Sequence, residues 1–196
     1  MKRIAMGIVA VCGLALATAG VAEAGSKSKS AKADPAAQAA ALQAAAAKAD
    51  YLMLYDGVAK KIADLGAAIP EEKYDWRPAE GVRSVAEVLN HVSGASYLFG
   101  KVTGAAVPAD APADPEKGPD AKSKAEILAK LSEAIAYGRA NAEAITSEQL
   151  ARSVDFFGNQ MSVRAIYLVG YEHLGEHLGQ LIAYARSIGV KPPWSN

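Results

Sequence analysis

The residues here whose type and spacing can do chemistry are histidines, and the chain has only three: His91, His173 and His177. His173 and His177 are four apart. On a helix this places them about 40° apart on one face, on successive turns. It is a standard way to present two imidazoles to one metal ion. Gln180 and Tyr184 continue the same stripe. His91 lies beside Asn90, with Val88 and Val92 as apolar neighbours that suggest an inward-turned helix face. Three neutral imidazoles around a divalent ion, with a position left for water, is the ligand count of a catalytic rather than a structural site. The plainer reading is three core histidines with hydrogen-bond partners, and spacing alone leaves both open.

Residues 173–177, HLGEH, also match the inverted zinc-protease pattern, in which a Glu lies between two ligand histidines. That pattern needs a further ligand downstream, and none of the 19 residues after His177 is Asp or Glu. Glu176 reads equally as a solvated carboxylate. Trp76, Arg77 and Trp194 are candidates for a pocket mouth or for satellite packing. Tyr171, Tyr184 and Arg186 lie along the same helix as the histidine pair and either meet a ligand or pack. The sequence has no phosphate-binding glycine loop, heme-attachment motif or nucleophile-elbow serine.

The elements that must position these residues are helical. Ala is abundant and β-branched runs are rare, which favours helix. A first helix is expected from about Ala36 to Ala68, with Pro35 at its start. Its apolar stripe is Tyr51, Leu54, Tyr55, Val58, Ile62 and Leu65. Pro70 to Arg83 reads as an ordered loop. Ser84 with Glu87 is a capping box that opens a second helix ending near Gly100 or Gly104. Residues 105–120 hold four prolines and four acidic residues, a loop whose length suggests a long crossover or a lid. Ser123 with Glu126 caps a third helix that ends near Ile145. Residues 146–162 read as a short turn or hairpin around DFFGNQ. Ser162 caps a fourth helix, Val163 to Ile188, which stops at Gly189 before Pro192 and Pro193. The expected fold is all-α, a four-helix bundle with a long crossover loop.

The chain has 196 residues, a one-domain length, with 51% hydrophobic and 21% charged residues. Lys2 and Arg3, the apolar stretch Met6 to Ala17, and Ala22-Glu23-Ala24 read as a secretory signal over residues 1–24. The apolar stretch is short of the roughly 20 residues a membrane span needs. Cleavage would remove the only cysteine, Cys12, and with it disulfides and thiol chemistry. It would leave 19 basic and 20 acidic groups, net −1, without the basic footprint of a nucleic-acid binder. Residues 25–35 read as a flexible linker, and residues 36–196 as the bundle domain. Export to the periplasm or the extracellular space is therefore expected.

Over about Leu52 to Trp194 the sequence resembles the DinB-like superfamily of metal-binding four-helix bundles. The landmarks are Ile69-Pro70, then YDWRPAEGVRSVAEVLNHV (74–92) and YEHLGEHLGQLIAYARSIGVKPP (171–193). The resemblance implies that His91, His173 and His177 form a metal triad holding a divalent ion, zinc or nickel being typical. It also implies a thiol-dependent transferase or isomerase; a metal-dependent hydrolase, whose ion lowers the pKa of bound water, is a further enzyme reading, and a non-enzymatic metal- or ligand-binding module is the alternative. Low-molecular-weight thiols are chiefly cytoplasmic, so export argues against the transferase. The expected partner is a small-molecule ligand or substrate, with a homodimer as a candidate assembly.

Overall fold

The computed structural model describes residues 34–195. The expected signal segment and residues 25–33 of the linker lie outside the described residues. Pro35 is the first residue of α1, Pro35–Ala68, where its missing N–H costs nothing. α2 is Val85–Thr103, α3 is Lys124–Ala144, α4 is Ser147–Ala151 and α5 is Val163–Ser187. Between α4 and α5, β1 (Ser153–Phe156) and β2 (Asn159–Ser162) form an antiparallel hairpin that pairs Phe156 with Asn159. Among the described residues no helix is long and apolar enough to cross a membrane.

Both expected capping boxes are present. The Ser84 hydroxyl accepts from Glu87 N–H and the Glu87 carboxylate accepts from Ser84 N–H, and Ser123 with Glu126 does the same. A third box, Thr146 with Gln149, opens α4, a short helix where sequence reading expected only turn or hairpin. The α1 stripe differs at one position. Tyr55, Ala59, Ile62 and Leu65 are buried, whereas Leu54 and Met53 face solvent. The bundle covers one side of α1, and Leu54 falls off that side.

Contacts between helix ends fix the topology. Lys124 at the start of α3 donates to Ala67 O and Ile69 O at the end of α1. Lys48 in α1 donates to Ile145 O just beyond the end of α3. Tyr184 near the end of α5 donates to Arg83 O just before α2. The starts of α2 and α3 therefore lie together with the ends of α1 and α5, and α2 runs parallel to α3.

Parallel neighbours cannot be joined by a tight turn, so residues 104–123 must return along the length of α2. They do so in backbone contact with it. A Cβ at Gly94 would collide with the Pro115 carbonyl, and a Cβ at Gly118, whose φ is +71°, would collide with the Asn90 carbonyl. Asn90 Nδ2 donates to Ala121 O at 3.1 Å. With α3, α5 and this strap around it, α2 is buried along nearly its whole length, including Asn90, His91, Ser93 and Ser96. Ser93 and Ser96 satisfy their hydroxyls on the carbonyls of Leu89 and Val92.

Two glycine substitutions should therefore move stability in opposite directions. Gly94→Ala wedges the strap off α2 and should cost about 1–3 kcal/mol. Gly57→Ala, on the α1 surface with nothing within 4 Å of the new carbon, should gain about 0.5–1 kcal/mol. Urea denaturation of both variants against the unmodified protein checks the pair.

Candidate metal centre

His91 comes from the middle of α2, and His173 and His177 from α5. The two α5 residues sit at the border of its core stripe, next to buried Leu174 and Leu178. His91 Nε2 lies 3.0 Å from His173 Nε2, and His177 Nε2 lies 3.1 Å from the same atom. All three ligand atoms lie within 4.8 Å of one another. Among the described residues, the cluster contains these three imidazoles and no carboxylate.

The outer nitrogens are tethered. His91 Nδ1 sits 3.0 Å from Glu116 O in the strap. A carbonyl only accepts, so Nδ1 carries the proton and Nε2 keeps its lone pair. On the α5 side, His177 Nδ1 lies 2.8 Å from Gln180 Oε1, Gln180 Nε2 donates to Tyr184 OH at 2.8 Å, and Tyr184 OH donates to Arg83 O at 3.1 Å. The last acceptor is again a carbonyl. It sets the direction of every bond in the chain, leaving a proton on His177 Nδ1 and a lone pair on Nε2. Trp76 packs edge-on against Tyr184, with ring centroids 5.4 Å apart, and fixes that ring.

Electrostatics keep the cluster neutral. Burial pushes His173 down to about 3, and the neighbouring His177, His91 and Arg83 push the same way. Burial first and Arg83 second also lower His91, and burial lowers His177 against the opposing effect of its hydrogen bond to Gln180. Arg83 is paired with Glu116, Nη2 to Oε2 at 2.7 Å. Neutral imidazoles are the form that binds a metal. Ligand distances of about 2.0–2.1 Å put neighbouring nitrogens roughly 2.8–3.4 Å apart around one ion, from right-angled to tetrahedral ligand angles, and the two close separations, 3.0 and 3.1 Å, fall inside that range. A proton on His173 Nε2 can serve only one of the two facing lone pairs well, at 3.0 or 3.1 Å, whereas one divalent ion takes a lone pair from each of the three imidazoles, so the donor set fits such an ion.

The other sequence candidates lie elsewhere. Glu176 is exposed on α5 and is not part of the cluster. Arg77 donates to Val82 O and pairs with Glu87 at the α2 cap. Trp194 lies under Lys61 Nζ at 5.7 Å. Tyr171 meets the Tyr51 ring, and Arg186 is exposed. Sequence reading missed the Glu116 carbonyl, which reaches His91 as backbone and so leaves no side-chain signal. It also missed Phe99, whose ring centroid is 5.6 Å from that of His173. A groove of about 610 Å³ between α1, α4 and α5, bordered by Ala44, Leu150 and Leu168, includes none of the triad.

Two outcomes follow for the ion-free protein. Two-bond proton–nitrogen spectra should show His91 and His177 protonated at Nδ1, and Gln180→Leu should abolish that preference at His177 alone. Unfolded imidazoles titrate near 6.5, so below that pH the unfolded chain binds protons that the folded chain refuses. The stabilisation is complete above about pH 6.5 and falls as pH drops towards about 3. Urea midpoints should follow that slope, and His173→Ala should flatten it.

The family model for the DinB superfamily matches residues 54–181. The uncharacterized protein YjoA of Bacillus subtilis is 30% identical over 133 residues, spanning 64% of this chain and 80% of YjoA. The crystal structure of YjoA, a DinB-like protein, has a TM-score of 0.59 at 24% identity, with 72% of this chain and 93% of that one covered. A DinB-like protein of Bacillus cereus gives 0.63 at 18% identity, covering 74% and 95%. YfiT of Bacillus subtilis, described as a probable metal-dependent hydrolase with an unusual four-helix bundle topology, gives 0.54 at 18% identity, covering 74% and 89%. At these identities the solved structures speak for the fold. The family match takes in all three histidines, and this chain belongs to the DinB superfamily.

Proposed function

We propose that the protein is an exported hydrolase that depends on one divalent ion, zinc or nickel, held by His91, His173 and His177. The observation that carries this reading is the convergence of the triad's Nε2 atoms, with His91 and His177 each tethered through Nδ1. The description of YfiT as a probable metal-dependent hydrolase supports the same class. A divalent ion bound there supplies Lewis acidity, acidifying water and polarising a carbonyl or phosphoryl oxygen. The chain's own part is to hold three neutral imidazoles, to fix two tautomers through Glu116 O and Gln180, and to keep His91 buried and His173 and His177 half-buried so that water access is limited. Arg83 and Glu116, on the outer side of His91, set the local charge.

A second reading is favoured by the absence of any carboxylate from the described cluster. With the neighbouring Glu116 carboxylate on the outer side of His91 and paired with Arg83, the same triad serves a module that binds metal or ligand without turnover. Low-molecular-weight thiols in the assay separate a third reading, the thiol-dependent transferase.

The test begins with elemental analysis of protein purified from its native compartment. One divalent ion per chain is expected, and His91→Ala, His173→Ala and His177→Ala should each lose it while keeping a helical circular-dichroism spectrum. Gln180→Leu should weaken affinity by roughly 10–100-fold, as loss of an orienting partner does. Equal metal retention by all the histidine variants would overturn the triad. Turnover of carboxylic or phosphoric esters that stops on chelation supports the hydrolase, and a loaded protein inert to all of them leaves the binding module. Mature protein that begins near Gly25 supports export, whereas Met1 on cytoplasmic protein removes it.

A further inference from the structure

The chain has three phenylalanines, and all three lie in one run that begins at the triad. The Phe99 ring packs edge-on against His173, with centroids 5.6 Å apart. It fits there because Gly170 on α5 carries no side chain; a Cβ at that position would sit 3.3 Å from Phe99 Cδ2. Phe156 on β1 follows at 6.0 Å from Phe99, and Phe157 follows at 4.6 Å from Phe156. Phe157 is 76% exposed.

Folding does not account for Phe157. It sits with Gly158 in the two-residue turn between β1 and β2, at φ of 51° and 82° respectively. Two left-handed residues in a hairpin turn favour Asn-Gly or Asp-Gly. A β-carbon in that conformation costs roughly 1–2 kcal/mol. Phe157 is the only residue other than glycine with positive φ among the described residues. Exposed as it is, its ring recovers little by burial. The turn is supported by other groups: Asp155 Oδ1 accepts from Gly158 N–H at 3.2 Å, and Asn159 Nδ2 donates to Phe157 O at 3.4 Å. An unfavourable backbone position that carries a large apolar side chain to the surface, at the end of a series of ring contacts that starts at His173, is the arrangement of a recognition element.

We infer that Phe99, Phe156 and Phe157 form the apolar wall of a substrate site, and that the substrate carries an aryl or extended alkyl group attached to the polar head that reaches the triad. This deepens the proposed function and rests on it for the position of the head. The wall selects against small polar substrates, because rings two and three steps from His173 are reached only by a tail.

The test uses two hydroxamates with the same chelating head, acetohydroxamate and 4-phenylbutanohydroxamate, titrated calorimetrically into the zinc-loaded protein. The phenylbutyl compound should bind about tenfold more tightly. Phe157→Asn should collapse that ratio towards one. Because Asn suits the turn better than Phe, the same variant should melt at the same temperature or higher. A lower melting temperature makes Phe157 structural and overturns the inference. So does an unchanged ratio, or a change from dimer to monomer on sedimentation with the ratio intact, which assigns the ring to contact between copies of the chain. A metal-independent arm uses 4-phenyl-1-butanol with the ion-free protein. The Gly158 amide resonance should shift in the unmodified protein and not in Phe157→Asn. If neither hydroxamate binds the zinc-loaded protein while the alcohol still shifts Gly158, the metal reading fails and the wall stands. If the alcohol shifts nothing, the wall fails whatever the metal does.

Discussion

The parallel pairing of α2 with α3 is the constraint on which the rest of the structure depends. Two adjacent helices that start at the same end leave the chain a full helix length from where it must next begin. Residues 104–123 cover that length along α2. Gly94 and Gly118 allow the strap to approach α2 at backbone contact distance, and at that distance the Glu116 carbonyl reaches His91 Nδ1. A connection that the topology demands thus becomes the outer tether of a candidate metal ligand. The strap also closes the remaining side of α2, where Asn90 Nδ2 and His91 Nδ1 find partners on it and Ser93 and Ser96 find theirs on the preceding turn, while the buried Asn90 Oδ1 is left without a hydrogen bond.

The α5 side reaches the same end by a longer route. His177 is held through Gln180 and Tyr184 to the carbonyl of Arg83, the residue just before the α2 cap. Both routes terminate on backbone acceptors that flank α2, Glu116 O in the strap packed along it and Arg83 O just before its first turn. The position of α2 therefore governs one ligand directly and another through three hydrogen bonds. Displacing α2 would carry His91 away from Glu116 O and shift the Arg83 carbonyl together, whereas altering Gln180 affects His177 alone. The candidate site lies at the α2–α5 contact because its histidines come from those two helices, and the groove between α1, α4 and α5 includes none of them.

Much of this was legible in the sequence, for local reasons. Apolar residues at spacings of three and four marked α1, α2, α3 and α5. Ser84 with Glu87 and Ser123 with Glu126 marked two starts, because a capping box is written within four consecutive residues. The histidine pair on α5 was legible from its spacing, and His91 from its apolar neighbours. What was not legible depends on partners distant in sequence. Leu54 has the right spacing yet faces solvent, because which side of α1 the bundle covers is a tertiary fact. The strap's seat is encoded by side chains that are absent, at Gly94 and Gly118. The Thr146 and Gln149 box had the same local signature as the other two and was overlooked within a segment dominated by turn residues.

The character of the site follows from using carbonyls and an amide as tethers where a carboxylate is the common alternative. A carboxylate partner makes an imidazole more basic and brings negative charge towards the ligand set. Here the nearest carboxylate, Glu116, is 3.7 Å from His91 Nδ1 and is itself paired with Arg83, so its charge is largely balanced. Burial and Arg83 both disfavour protonated imidazoles. Three neutral ligands leave a divalent ion its full double charge, and the ion is then the largest local charge. Such a site favours anionic or strongly polarised oxygen and sulfur donors over further cations. The aromatic run from Phe99 on α2 to Phe157 in the β1–β2 turn would give such a site an apolar flank, with charge selecting the head of a ligand and hydrocarbon its tail.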